Sequence, residues 1–243
     1  DCSSIRNLTF PKWSTVILSE SSFNNCDSLE ELHFLGKAQT CEDDKKAGIN
    51  LISKNLQDIT VFQYNTIGMK QIKLKKITLP QGIRKIEKCS FYKCDCLKEV
   101  GIQNGLEFIG EEAFACCHAL ENITIPESVT YIGQSAFAIC YNLKRIRIPV
   151  GVEKIRTGTF QSCFNLLNVN IMDGVHIIEH GAFWKCYKLN QVSIPRSMEK
   201  IEKYAFVDCT ALKTIKVFWK TVVESKAFDR QCFKIRYFLG RGQ

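Results

Sequence analysis

The sequence lacks the features that mark several large protein classes. No apolar run in its 243 residues approaches the roughly 20 residues that span a bilayer, so we expect no transmembrane segment. It contains no phosphate-binding loop, dinucleotide-binding fingerprint or G-x-S-x-G elbow, which leaves the common nucleotide-dependent and serine-hydrolase chemistries unsupported. The 33 lysines and arginines are dispersed among 25 acidic residues rather than gathered in a run. The net charge of +8 therefore indicates a solvated surface and makes nucleic-acid binding a poor prediction.

The chain also lacks the start of a secretory precursor. It begins at Asp1 rather than Met and has no basic stretch followed by an apolar core. We therefore expect either a processed form whose targeting signal has been removed or a fragment.

A strict repetition is present instead. Seven cysteines recur at an interval of 23 residues: Cys94, Cys117, Cys140, Cys163, Cys186, Cys209 and Cys232. The apolar positions between them keep the same spacing, and the unit reads C-x-x-L-x-x-I-x-I-P-x-x-V-x-x-I-G-x-x-A-F-x-x. A period of this length predicts a solenoid, in which each unit buries its apolar side chains against the next.

The domain organisation follows from the same period. We predict a single solenoid over residues 1–243, because an array grows by adding coils rather than domains. Its predicted parts are an N-terminal coil and cap (1–35), degraded coils with a loop insertion (36–90), regular repeats (91–217) and a C-terminal cap (218–243). Two degraded coils are expected because Cys26 and Cys94 lie 68 residues apart, one short of three repeats.

This unit resembles the BspA-like class of leucine-rich repeats, whose A-F-x-x-C-x-x-L-x-x-I-x-I-P-x-x-V-x-x-I-G core is matched over most of residues 22–235. The resemblance implies an α/β solenoid, a right-handed superhelix with a parallel β-sheet on one face and turns or short helical segments on the other. It also implies a non-enzymatic adhesion or recognition module without a cofactor. Because proteins of this family are mostly secreted or surface proteins of bacteria and parasitic protists, it implies an extracellular or cell-surface location.

Equivalent side chains of stacked coils should form ladders. One phenylalanine per unit falls at the same inward position, which predicts a buried aromatic spine: Phe91, Phe114, Phe137, Phe160, Phe183 and Phe206. Each buried ring contributes roughly 1.5–3 kcal/mol of transfer free energy.

The in-phase cysteines are interpreted as a second ladder, of buried free thiols, because cysteine behaves as a small hydrophobe. For the neighbouring Cys89, Cys96 and Cys116 we predict free thiols. Two alternatives stay open, namely a disulfide among them or a zinc site formed with His118 and the adjacent ladder cysteines. Thirteen cysteines cannot all pair within one chain. The ladder by itself fits both oxidising and reducing compartments.

His176, Glu179 and His180 spell H-x-x-E-H, the letters of an inverted zinc-protease motif. That chemistry requires a helix, whereas Ile178 falls on an inward position of the solenoid unit. We therefore interpret the segment as an exposed turn and predict no metal site.

The outward positions of the predicted strands form one continuous polar surface. Amides and arginines on such a surface suit a protein partner, because they hydrogen-bond amides and fork onto carboxylates. The predicted partner-binding residues are Asn122, Thr124, Arg145, Arg147, Asn168, Asn170, Gln191, Ser193 and Lys216. The expected partner is a host or neighbouring-cell surface protein; the alternative is an intracellular scaffold that binds a client protein. Phe218 and Trp219 supply either an aromatic anchor or part of the cap.

Overall fold

The computed structural model describes residues 4–10, 26, 28–35, 73–79, 81–229 and 234–238. These residues form seventeen parallel β-strands in two rows. They contain no helix, and accordingly no helix suited to crossing a bilayer.

The first row holds strands of two to five residues. They are β1 (Asn7–Phe10), β2 (Glu31–Phe34), β3 (Lys76–Thr78), β5 (Glu99–Gly101), β7 (Asn122–Ile123), β9 (Arg145–Ile148), β11 (Asn168–Ile171), β13 (Gln191–Ser193), β15 (Thr214–Phe218) and β17 (Lys234–Phe238). The second row holds two-residue strands. They are β4 (Lys85–Ile86), β6 (Phe108–Ile109), β8 (Tyr131–Ile132), β10 (Lys154–Ile155), β12 (Ile177–Ile178), β14 (Lys200–Ile201) and β16 (Val222–Val223).

Strand pairing in the regular part follows the sequence period. Asn168 of β11 pairs with Arg145 on one side and Gln191 on the other, each 23 residues away. In the first row the hydrogen-bonded sheets are β1–β2–β3–β5–β7, β9–β11–β13 and β15–β17, and in the second row they are β4–β6–β8 and β10–β12–β14–β16. Strand β7 lies beside β9, and β13 lies beside β15, so the first row continues across the breaks between its sheets. Equal repeats therefore bring identical positions into contact.

The predicted phenylalanine spine is confirmed. Its six rings are buried and stack with centroid separations of 4.9–5.5 Å and interplanar angles of 3–10°. Phe228 continues the stack at 5.0 Å from Phe206 although it lies only 22 residues further on. The ladder therefore extends one coil beyond the regular repeats.

The expected short helical segments are not confirmed, and the described fold is an all-β solenoid rather than an α/β one. Glu112 and Cys116 have positive φ angles of 53° and 61°, which break any helix around the A-F pair. The backbone between them bonds to the next coil instead, with Phe114 N donating to Ala136 O at 2.8 Å. These cross-coil bonds satisfy the polar groups that a helix would have satisfied internally.

Strands β2 and β3 are direct neighbours in the sheet, although two degraded coils are predicted over residues 36–90. Glu31 of β2 pairs directly with Lys76 of β3, 45 residues away. No strand of a further coil therefore lies between them in this sheet. The predicted coil at 36–67 and its loop insertion lie outside the described residues.

The repeat's glycine reflects close approach of successive coils. A β-carbon on Gly133 would lie 2.4 Å from Glu111 N and 2.5 Å from Gly110 C, and one on Gly110 would meet the backbone of the coil before it. Both contacts are shorter than van der Waals separation, so only glycine fits where two backbones meet in this way.

Candidate functional site

The first row presents a polar surface, here called the strand face, formed by its outward side chains. In β9 the pattern is strict, because Arg145 and Arg147 are exposed while Ile146 and Ile148 are buried. This alternation follows from the two-residue period of a strand with one face on the core.

All nine predicted partner-binding residues lie on the strand face. Eight of them are exposed, and Asn168 is half-buried. Strand pairing aligns them in two columns, one with Arg145, Asn168 and Gln191 and the other with Arg147, Asn170 and Ser193. Asn122 and Thr124 extend the columns toward the N-terminus, and Lys216 extends the second toward the C-terminus. That these residues bind a partner remains a prediction.

The cations of the strand face differ in whether a carboxylate lies close enough to form a salt bridge with them. Lys76 Nζ lies 3.0 Å from Glu99 Oε2, and Arg147 is paired with Glu127. Among the described residues, Arg145 has no carboxylate within salt-bridge distance. Arg145 is therefore the uncompensated cation at the middle of the face, whereas the sequence pattern alone treats both arginines as free.

One amide on the face is incompletely satisfied. Asn168 Oδ1 is buried and is the only such side-chain oxygen or nitrogen in the described part of the chain without a hydrogen-bond partner. A buried acceptor without a donor costs about 1–3 kcal/mol. Asn168 lies between Arg145 and Gln191, so a small rearrangement of either neighbour reaches it.

The N-terminal end of the strand face is largely satisfied internally. His33 Nδ1 lies 2.8 Å from Thr78 Oγ1, and its Nε2 lies 3.4 Å from Glu31 Oε2. These side chains use their polar atoms on one another, which leaves fewer for a partner.

The C-terminal end carries two cations that the sequence analysis missed. Lys234 and Arg236 lie on β17, where Arg236 pairs in register with Lys216. The alternation of polar and apolar residues in Lys234–Ile235–Arg236 was the available signal, but the regular unit ends before it and the segment was assigned to a cap. Trp219, beside this end, is 64% exposed, as an anchor would require.

The thiol ladder is confirmed for the five described cysteines from Cys117 to Cys209, which are free and buried. Each S–H donates to the carbonyl of the phenylalanine 26 residues earlier; Cys140 Sγ, for example, lies 3.2 Å from Phe114 O. Burial raises the pKa of Cys163 to about 12 and that of Cys117 well above its ordinary value. Of the other two predicted members, Cys94 is free but only half-buried, and Cys232 lies outside the described residues. The ladder thiols are therefore protonated and unreactive, and their role is structural.

The cysteines of the cluster beside the ladder are free thiols, as predicted, rather than a disulfide or a zinc site. Cys89, Cys94, Cys96 and Cys116 are free, and the described residues contain no group of three or more potential metal ligands. Cys89 Sγ instead lies 3.6 Å from Glu112 Oε2, and burial raises its pKa. A disulfide occurs elsewhere, at Cys26.

The H-x-x-E-H side chains do not converge. His176 Nδ1 lies 3.1 Å from Glu199 Oε1, whereas Glu179 Oε2 accepts a bond from Thr157 N at 3.0 Å. The His180 ring meets Tyr204 edge-on. Each side chain is engaged with a different residue. The predicted exposed turn is wrong in part, because Ile177–Ile178 form strand β12 and only His180 of the three polar residues is exposed.

A second exposed feature is an aromatic column outside the strand face. His118, Tyr141, Phe164 and Tyr187 stack with centroid separations of 4.6–5.0 Å. The two inner rings, Tyr141 and Phe164, each have a ring of the column on both sides. The column therefore adds contacts between neighbouring coils.

Comparison with protein families identifies one match. A family model described as the BspA type leucine rich repeat region matches with 6 copies over residues 1–69, 65–190 and 142–239. No protein with a curated description matches the chain.

Solved structures with similar chains are bacterial leucine-rich repeat proteins. One from Eubacterium ventriosum is 23% identical with a TM-score of 0.66, covering 99% of this chain and 62% of its own. One from Bacteroides ovatus is 25% identical with a TM-score of 0.49, covering 63% of this chain and 47% of its own. The T. pallidum leucine rich repeat protein is 25% identical with a TM-score of 0.49, covering 76% and 72%. This chain thus spans less than two thirds of the length of the first two proteins. The likeness to the Eubacterium ventriosum protein supports the fold alone.

Proposed function

Because this chain belongs to the BspA-type leucine-rich-repeat family, we propose that it is a non-enzymatic recognition or adhesion module that binds a partner protein through its strand face. The proposed partner is a surface protein of a host or neighbouring cell. The proposed location is extracellular or on the cell surface.

The observation that carries this proposal is the composition of the strand face at its middle. Exposed Asn170, Gln191 and Ser193 lie on β11 and β13, the two strands that follow β9 in the sheet. Arg145 on β9 carries a charge that has no partner among the described residues. Amides donate and accept hydrogen bonds, and an arginine forks onto a carboxylate, so the group favours the mixed polar surface of a protein. Aligned columns hold these groups at fixed spacing.

A charge reversal on this face tests the proposal. We expect Arg145→Glu/Arg147→Glu to abolish recovery of the partner from cell-surface extracts, because the new carboxylates repel the groups that the arginines would bind. The matched control is Lys188→Glu/Lys203→Glu, which makes the same charge change at exposed turn residues outside the first row. Equal recovery by both variants would remove the strand face from the proposal.

A second candidate, an intracellular scaffold for a client protein, is favoured by the nine free cysteines of the described residues. The disulfide at Cys26 favours the oxidising exterior instead. If the protein is extracellular, thiol titration of denatured but unreduced protein from its native source should find at least two fewer thiols than its thirteen cysteines. Thirteen titratable thiols would favour the scaffold.

A further inference from the structure

β17 pairs with β15 on one side, and on its other side the structure describes no strand. Lys234 N donates to Lys213 O at 3.1 Å, and Phe238 O accepts from Trp219 N at 3.1 Å. In a parallel ladder alternate residues turn both N–H and C=O to the same neighbour, so Ile235 and Tyr237 direct theirs away from β15, to the edge on that other side.

This end of the strand face is rich in cations. Arg196, Lys216, Lys234 and Arg236 are exposed, and no carboxylate lies within salt-bridge distance of any of them among the described residues. Lys76 and Arg147, elsewhere on the first row, have carboxylate partners, although Arg145 does not. Lys234 and Arg236 lie on β17 itself, Lys216 lies on the neighbouring β15 and Arg196 follows β13. The uncompensated charge at and beside β17 favours an acidic ligand.

Aromatic rings lie between these cations. Lys216 Nζ is 5.4 Å from the centroid of the Phe238 ring, and the Arg196 guanidinium is 5.9 Å from that of Phe218. Phe238 is 42% exposed and Tyr237 is 57% exposed. Phe218 and Phe238 lie beside the cations without neutralising them, whereas Tyr237 is in register with the buried Val217 and so lies on the other face of β17.

We propose that an extended acidic segment of a partner protein adds as the strand beside β17, with its carboxylates on Lys234 and Arg236 and with Lys216 on β15 adding to the attraction. The inference rests on the proposed function and specifies its ligand. Addition of an extended peptide to a sheet edge uses main-chain hydrogen bonds for affinity and side chains for selectivity. A second copy of this chain is a poor occupant, because antiparallel pairing of two β17 strands centred on Arg236 sets Arg236 opposite Arg236.

The test uses a fluorescent synthetic peptide that alternates glutamate with valine, and fluorescence anisotropy as the readout. We expect it to bind the full chain and a lysine–valine peptide not to bind. Lys216→Glu/Arg236→Glu should weaken binding by about tenfold or more, while Lys188→Glu/Lys203→Glu should leave it unchanged. If the reversed variant unfolds by circular dichroism, Lys216→Gln/Arg236→Gln makes the same comparison.

Two substitutions at Tyr237 distinguish strand addition from simple charge attraction. Tyr237→Pro removes an outward N–H that β15 does not use, and Tyr237→Ala removes the same side chain but keeps that donor. We expect the proline variant to bind the glutamate peptide about fivefold more weakly than the alanine variant, in keeping with the loss of one hydrogen bond.

Three results would overturn the inference: no peptide binding by the wild-type chain, equal loss in the patch and control variants, or equal binding by the proline and alanine variants. Heparin binding that is lost in Lys216→Glu/Arg236→Glu, without peptide binding, would assign the patch to a polyanionic glycan instead. Loss of the natural partner in Arg145→Glu/Arg147→Glu with no peptide binding would retain the proposed function and remove this inference alone.

Discussion

At the scale of single residues, the inward cysteine combines two properties that few side chains share. Its volume suits a narrow position in each coil, and its S–H donates to a carbonyl of the preceding coil, as Cys186 does to Phe160 O at 3.2 Å. Alanine fits the space but donates nothing, and serine is more costly to bury. The sequence pattern predicted the burial, whereas the hydrogen bond required coordinates.

The raised thiol pKa makes stability depend on pH. The pKa of Cys163 is about 12 in the folded chain against an ordinary 9.0, so between these values the folded state binds more protons than the unfolded state. The free energy of unfolding should therefore be unaffected below pH 9 and fall as pH rises toward 12. In urea titrations across this window, the decline for wild type should exceed that for Cys163→Ala by up to about 1.4 kcal/mol per pH unit. Parallel curves would contradict the assignment.

At the scale of the structural element, the ladders explain which parts of the fold could be predicted. Phe114 and Phe137 occupy equivalent positions of nearly identical units, so an equal sequence interval places one ring on the next. The A-F segment was harder, because apolar spacing there also fits a helical turn and the left-handed residues Glu112 and Cys116 are not typical of that conformation. The direct pairing of β2 with β3 left no periodic trace in the sequence.

The buried phenylalanine spine should contribute more to the free energy of unfolding than the aromatic column outside the strand face. Phe137→Ala removes a fully buried ring and should lower the free energy of unfolding by about 3–5 kcal/mol. Phe164→Ala, one coil further along but in the half-buried outer column, is the matched control and should lower it by clearly less. Chemical denaturation followed by circular dichroism measures both. Equal losses would mean that the Phe spine is not the principal core.

At the scale of the whole molecule, the first row joins local repeats into one recognition surface. Its composition was predictable from outward positions between residues 122 and 216, because a strict period fixes which side chains point outward. The pairing of Arg147 with Glu127 was not predictable, since it depends on side-chain conformations across different segments. The basic end around β17 was missed because Phe228 and the residues after it depart from the period.

Interaction through the strand face is the central functional claim, and site-specific photo-crosslinking tests it most directly. p-Benzoylphenylalanine is placed at Asn170 on the strand face or at Gln134, an exposed turn residue outside the first row. After irradiation with intact partner cells, we predict a crosslinked protein adduct from position 170 and none from position 134. An adduct from position 134 alone would contradict the account.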